Sequence, residues 1–258
     1  MMNNKWNKFL LEAAENKEID LPSIQIKDEL NMNVWQSTDR IKPEISSRLV
    51  QIALDFMENL DVDQEVIADI IVTGSLANYN WTQFSDIDLH ILIDYRHVDE
   101  NTGLVRKFLN AKKADWNKIH NIIIKGHEVE IYVQDITEPH ISTGVYSLLE
   151  DEWTMKPNRE KPKIDFKAVE SKALSIMDQI DRVEDLYNED NYEAVQNVSN
   201  LIRDKLKRLR RCGLEERGIY STENIAFKVL RNNDYIKKLL DFRRKAYDEM
   251  MSLNHNAV

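Results

Sequence analysis

The sequence predicts an α+β protein, a small mixed β-sheet core followed by a C-terminal helical domain. Three observations carry that prediction. Short β-branched or alternating segments lie between residues 66 and 133, a charged stretch holding Pro157 and Pro162 interrupts them, and beyond it apolar residues recur at helical spacing.

Residues 1–42 read as an N-terminal arm. Trp6, Leu10, Leu11 and Ala14 suggest a short helix, Leu21-Pro22-Ser23 a turn, and Val34-Trp35 a pair that packs against the body. Lys42-Pro43-Glu44 opens a helix, because proline is pre-organised for the first helical position and Ile45, Leu49, Ile52, Ala53, Phe56 and Leu60 fall on one stripe. Residues 66–72 form a β-branched strand ending at Thr73-Gly74. Residues 86–95 begin with the alternation Asp-Ile-Asp-Leu-His-Ile, a strand with one apolar face. Residues 102–121 read as a helix, and two short strands between 122 and 133 meet at Lys125-Gly126-His127 in a hairpin turn. The core domain so defined spans residues 43–153. After a linker over 154–163, the helical domain covers 164–258. There Val169, Ala173, Ile176, Ile180, Val183 and Tyr187 form one stripe and Val195, Val198, Ile202, Leu206 and Leu209 a second, a helical hairpin; a third helix is expected over 235–251.

Composition removes several function classes. With 258 residues, 42% apolar and 31% charged, the chain has ordinary globular usage. Cys212 is alone, so neither an internal disulfide nor a thiolate zinc cluster is available. No apolar run approaches the roughly 18 residues of a membrane span, and Lys5, Lys8, Glu12 and Glu15 break the start, so a soluble cytoplasmic protein with no membrane partner is expected. Only six glycines occur, where the usual share of about 7% would give three times as many, and neither G-x-G-x-x-G nor G-x-x-x-x-G-K-[ST] can be written. The net charge of −10 conceals a division, because residues 201–245 carry 14 Lys and Arg against 6 Asp and Glu.

The chemistry concentrates between Gly74 and Leu89. Asp86 and Asp88 stand two apart in an apolar strand, so both carboxylates project from one face. Like charges held that close repel unless a cation lies between them, and hard oxygen ligands suit Mg²⁺ or Mn²⁺, which in turn suit a triphosphate. A lone D-x-D pair is more often a solvated strand surface; its neighbours change that balance. Gly74-Ser75 follows a strand and precedes a stretch able to start a helix. Glycine permits close backbone approach, serine can cap and donate its hydroxyl, and free N–H groups there attract phosphate oxygens.

Gly74, Ser75, Asp86 and Asp88 resemble, in type, order and spacing, the signature of the nucleotidyltransferase superfamily similar to DNA polymerase beta: Gly-Ser, a spacer, two acids alternating with apolar residues, and a third acid on a later strand. The stretches Gly-Ser-Leu-Ala-Asn-Tyr and Ser-Asp-Ile-Asp-Leu-His are similar to those of a phage and bacterial branch, so a bacterial or phage-infected bacterial cytoplasm is implied. The resemblance covers residues 45–135 and implies a nucleotidyltransferase core. Val129-Glu130-Ile131 offers the third acid in Glu130, with Glu128 on the same face as the alternative. The implied site has Asp86, Asp88 and Glu130 as catalytic and metal-binding residues, Gly74, Ser75 and Ser85 at the nucleotide, and Mg²⁺ or Mn²⁺ as cofactor. The implied reaction moves NMP from an NTP to an acceptor hydroxyl of RNA, a nucleotide or a protein and releases pyrophosphate. Two alternatives stand beside it: a catalytically silent nucleotide- or RNA-binding sensor or inhibitor of the same fold, and a small-molecule transferase of the aminoglycoside type.

Arg203, Lys207 and Arg210 form a basic stripe, which either faces a cleft between the domains and binds triphosphate or RNA backbone, or pairs with the acidic N-terminal domain. His90 shares the face of the acid pair and reads chiefly as a strand histidine satisfied by a neighbour. Lys112 and Lys113 read as solubilising helix lysines, Trp116, Tyr146 and Trp153 as packing, and Ser221 or Thr222 as the cap of an apolar helix. The oligomeric state is left open.

Overall fold

The computed structural model describes residues 26–60, 62–139, 142–159 and 162–253. The helix and turn expected within residues 6–23 lie outside them. Two compact units divide the chain, a sheet unit over Gln25–Lys161 and a helical unit from Pro162 onward. The α+β class is as the sequence predicts.

In the sheet unit, α1 (Pro43–Glu58) carries proline in its first turn and buries Ile45, Leu49, Ile52, Ala53, Phe56 and Met57. The strands are β1 (Ile67–Thr73), β2 (Ile87–Ile93), β3 (Ile123–Ile124), β4 (His127–Asp135), β5 (Val145–Ser147) and β6 (Glu152–Met155), with α2 (Thr102–Ile119) between β2 and β3. Their order across the sheet is β3-β4-β2-β1-β5-β6. Only the β2–β4 pair is parallel, which makes the sheet mixed. A parallel pair needs a long crossover, and α2 supplies it. Lys125 and Gly126 both have positive φ, the requirement of a tight β3–β4 hairpin.

The β2 strand is shorter at both ends than the 86–95 alternation suggests, so Asp86 precedes it. Two strands escape the sequence pattern altogether. β5 and β6 have three and four residues, too few to show a period, and Met155, expected in the linker, pairs with Val145. Their position is secured by aromatic packing: Trp35 stacks on Trp153 at 4.6 Å and meets Tyr146 edge-on at 5.2 Å. Leu30, Val34, Trp35 and Ile41 thereby join α1 and the sheet in one core.

The helical unit holds α3 (Phe166–Asn188), α4 (Tyr192–Arg217), α5 (Thr222–Asn232) and α6 (Tyr235–Met251). Asp165, Asn191 and Ser221 cap α3, α4 and α5 by accepting the N–H groups of Ala168, Ala194 and Asn224. Val169, Ala173, Ile176, Ile180 and Val183 of α3 pack with Val195, Ile202 and Leu206 of α4. α5 adds Ile225, Ala226, Val229 and Leu230, and α6 adds Leu239 and Ala246. Lys238 of α6 bridges Asp181 at 2.7 Å and Glu184 at 2.5 Å on α3.

Candidate functional site

The period of two decides what β2 presents. Ile87, Leu89, Ile91 and Ile93 are buried, and Asp88, His90 and Leu92 take the opposite, partly open face. Parallel pairing then sets Asp88 opposite Glu130, His90 opposite Tyr132 and Leu92 opposite Gln134. Glu128 and Glu130 share this face of β4, whose alternate residues Val129 and Ile131 are buried. On the other edge of β2, Thr73 is the partner of Asp88, so the chain turns at Gly74 directly beside the carboxylate.

Gly74 has φ of +75°, and a Cβ built on it would lie 1.7 Å from Asp88 Oδ2. The carboxylate therefore rests on a bare Cα, and only glycine meets both demands. The helix expected to begin at Ser75 is absent; residues 74–77 form a turn instead. Leu76 and Ala77 are fully buried there, and that burial dictates the backbone more strongly than helix propensity.

The turn is fastened from several sides. Ser75 Oγ donates to Ser85 Oγ at 2.9 Å, and Ser85 Oγ accepts the Thr82 N–H at 2.9 Å. Ser85 is buried and reaches Ser75 rather than the surface. Asn78 Nδ2 donates to the Gly74 carbonyl at 2.9 Å. His127 is buried beneath: its Nε2 accepts from Asn31 Nδ2 at 2.8 Å, so its Nδ1 carries the proton and donates to the Ser85 carbonyl at 2.6 Å. No local pattern reveals that link, because Asn31 and His127 are 96 residues apart.

A second cluster adjoins the acid pair. Tyr132 donates its hydroxyl to Glu130 Oε2 at 2.5 Å. Burial pushes the Tyr132 phenol well above its ordinary range, and the charges of Glu130, Asp88 and Asp86 add to that shift. Lys113 corrects its expected solubilising role, since it is half-buried with its ammonium 3.9 Å from the centroid of the Tyr132 ring. Burial holds its pKa below the usual lysine value, and Glu130 opposes the shift. His90 Nδ1 donates to Gln134 Oε1 at 3.0 Å, and the imidazole stacks on Tyr132.

Asp86, Asp88 and Glu130 offer only hard carboxylate oxygens, the donor set of Mg²⁺ or Mn²⁺, and the uncovered Cα of Gly74 gives one of them room. The donor chemistry fits a divalent ion. Among the described residues, no three His, Cys, Asp or Glu side chains converge tightly enough to cage an ion as they stand. Arg203 and Lys207 belong to the helical unit, both on α4; Lys207 is exposed, and Arg203 Nε lies 3.8 Å from Asp204 Oδ1. No helix among the described residues is long and apolar enough to cross a membrane.

Residues 52–166 match the family model described as a nucleotidyltransferase domain. No curated protein matches the chain. A solved structure, the STING-associated CdnE c-di-GMP synthase from Capnocytophaga granulosa, aligns with 82% of this chain and 85% of its own at 11% identity and a TM-score of 0.21, too slight a likeness to carry an argument.

Proposed function

We propose that the chain, whose residues 52–166 match the nucleotidyltransferase domain model, transfers NMP from an NTP to an acceptor hydroxyl with release of pyrophosphate. The observation that carries this reading is the parallel register that sets Asp88 opposite Glu130, with Gly74 packed on the Asp88 carboxylate. Asp86, Asp88 and Glu130 would hold Mg²⁺ or Mn²⁺. When bound, such an ion neutralises triphosphate charge and lowers the pKa of an acceptor hydroxyl.

The chain's own groups do the rest. Backbone N–H groups of the 74–77 turn hold phosphate oxygens, and the Ser75–Ser85 bond keeps the turn in shape. The acceptor oxygen forms a bond to the α-phosphorus while the bond from that phosphorus to the bridging oxygen of the β-phosphate breaks. Pyrophosphate carries that electron pair away, and Glu130 takes the hydroxyl proton.

RNA or another nucleotide is the acceptor this reading favours, on the strength of the exposed cations Lys207, Arg208 and Arg210 along α4. Incubation of the full chain with each labelled NTP, Mg²⁺ or Mn²⁺, and total RNA, free nucleotides or an aminoglycoside tests it. Label in RNA or in a nucleotide product, with stoichiometric pyrophosphate, is the expected result. Label in the aminoglycoside alone would replace the acceptor, and nucleotide binding with no pyrophosphate from any mixture would establish a silent binding protein.

A further inference from the structure

On the polar face of the sheet, one side chain that no motif singles out is bonded to the third acid. We propose that Tyr132 is a positioning residue for Glu130, holding Oε2 through its hydroxyl so that Oε1 stays available to the divalent ion. The inference rests on the nucleotidyltransferase reading above and adds a residue to it.

A glutamate reaching from a strand has three rotatable bonds and must be immobilised to act as a ligand in one geometry, which is what ligand-supporting hydrogen bonds do. The Tyr132 hydroxyl makes such a bond to a charged acceptor. It can aim that hydroxyl only if its own ring is fixed, and the ring is gripped from two elements. From β2, His90 stacks on it at 4.8 Å with planes 24° apart, and His90 is itself tied to Gln134 at 3.0 Å. From α2, Lys113 sets its ammonium over the ring at 3.9 Å. α2 is in turn bolted to β4, because Asn117 accepts the Ile131 N–H and donates to the Ile131 carbonyl, both at 3.0 Å. The same register that pairs Asp88 with Glu130 pairs His90 with Tyr132, so prop and ligand move as one.

Phenylalanine would fill the same space, so the hydroxyl can be removed without removing the packing. Mn²⁺ alone, titrated calorimetrically into the full metal-free chain, is the test. Tyr132→Phe should weaken Mn²⁺ binding about 10- to 100-fold with the melting temperature of the metal-free protein unchanged, and should raise the Mn²⁺ needed for half-maximal transfer without changing KM for NTP. Wild-type Mn²⁺ affinity in Tyr132→Phe would overturn the proposal, as would a loss matched by a fall in melting temperature, since that marks a purely structural role. Asp88→Asn separates the two readings. If it too binds Mn²⁺ like wild type, the metal site itself is wrong; if it alone loses Mn²⁺, the site stands and the role of Tyr132 falls.

Discussion

In the sheet unit, β2 sends Ile87, Leu89, Ile91 and Ile93 inward and Asp88 and His90 outward, so each functional position has one possible occupant. In the helical unit, α3 and α4 spread their apolar residues over several turns, and the cations of α4 repeat along the surface. A strand that slips by one residue exchanges its two faces completely. A helical stripe tolerates local change because neighbouring turns repeat the same contact. Single substitutions should therefore silence the chemistry from the first unit, while those at buried apolar positions of the second act on stability alone.

The largest effect expected is at Asp88. Asp88→Asn should reduce pyrophosphate release by about a thousandfold or more, the several kcal/mol of charge stabilisation a divalent ion provides, with the circular dichroism spectrum retained. Transfer at the wild-type rate would end the contrast between the units.

Ile180 is fully buried in α3. Ile180→Ala should cost about 2 to 5 kcal/mol by denaturant titration, yet the folded fraction should bind Mn²⁺ as wild type does. Altered Mn²⁺ affinity would mean that the units are coupled.

Gly74→Ala combines both kinds of effect. The new methyl would collide with Asp88 Oδ2 and sit at φ of +75°. A stability loss of about 1 to 3 kcal/mol should accompany a far greater loss of transfer than that destabilisation explains. Equal losses would show the turn to be scaffolding only.

The smallest effect lies at the far end of β2. The side chain of Arg96 and its N–H bond to Asp94 and hold that carboxyl down to about 2. A depressed folded value means that the stabilisation is present above the unfolded carboxylate's pKa of about 4 and fades as pH falls toward 2. Arg96→Ala should flatten the melting-temperature profile across that window by lowering its neutral end slightly, a small loss because the arginine is exposed, and should leave the profile unchanged near pH 2. An undiminished slope would show that other carboxylates govern acid unfolding.

Much of this was legible in one dimension. Gly74, Ser75, Asp86, Asp88 and Glu130 stand in order along the chain, and alternation alone assigns Asp88 and Glu130 to the polar face of their strands. The helical stripes and the Ser221 cap could be read in the same way, because each depends on contacts within a few residues. What escaped was short or distant. β5 and β6 are too brief to show a period, the turn at Ser75 took its form from the burial of Leu76 and Ala77, and Lys113 looked like any helix lysine until α2 was seated on β4.

Residue identity and spacing determined which groups exist and which face of a strand or helix each occupies, because those properties follow from backbone periods of two and 3.6. Tertiary structure alone decided that Asp88 sits against Gly74, that His127 and Asn31 anchor the turn from below, and that Tyr132 grips Glu130. The physical reason is that cross-strand register and long-range hydrogen bonds join residues whose separation along the chain carries no local signal.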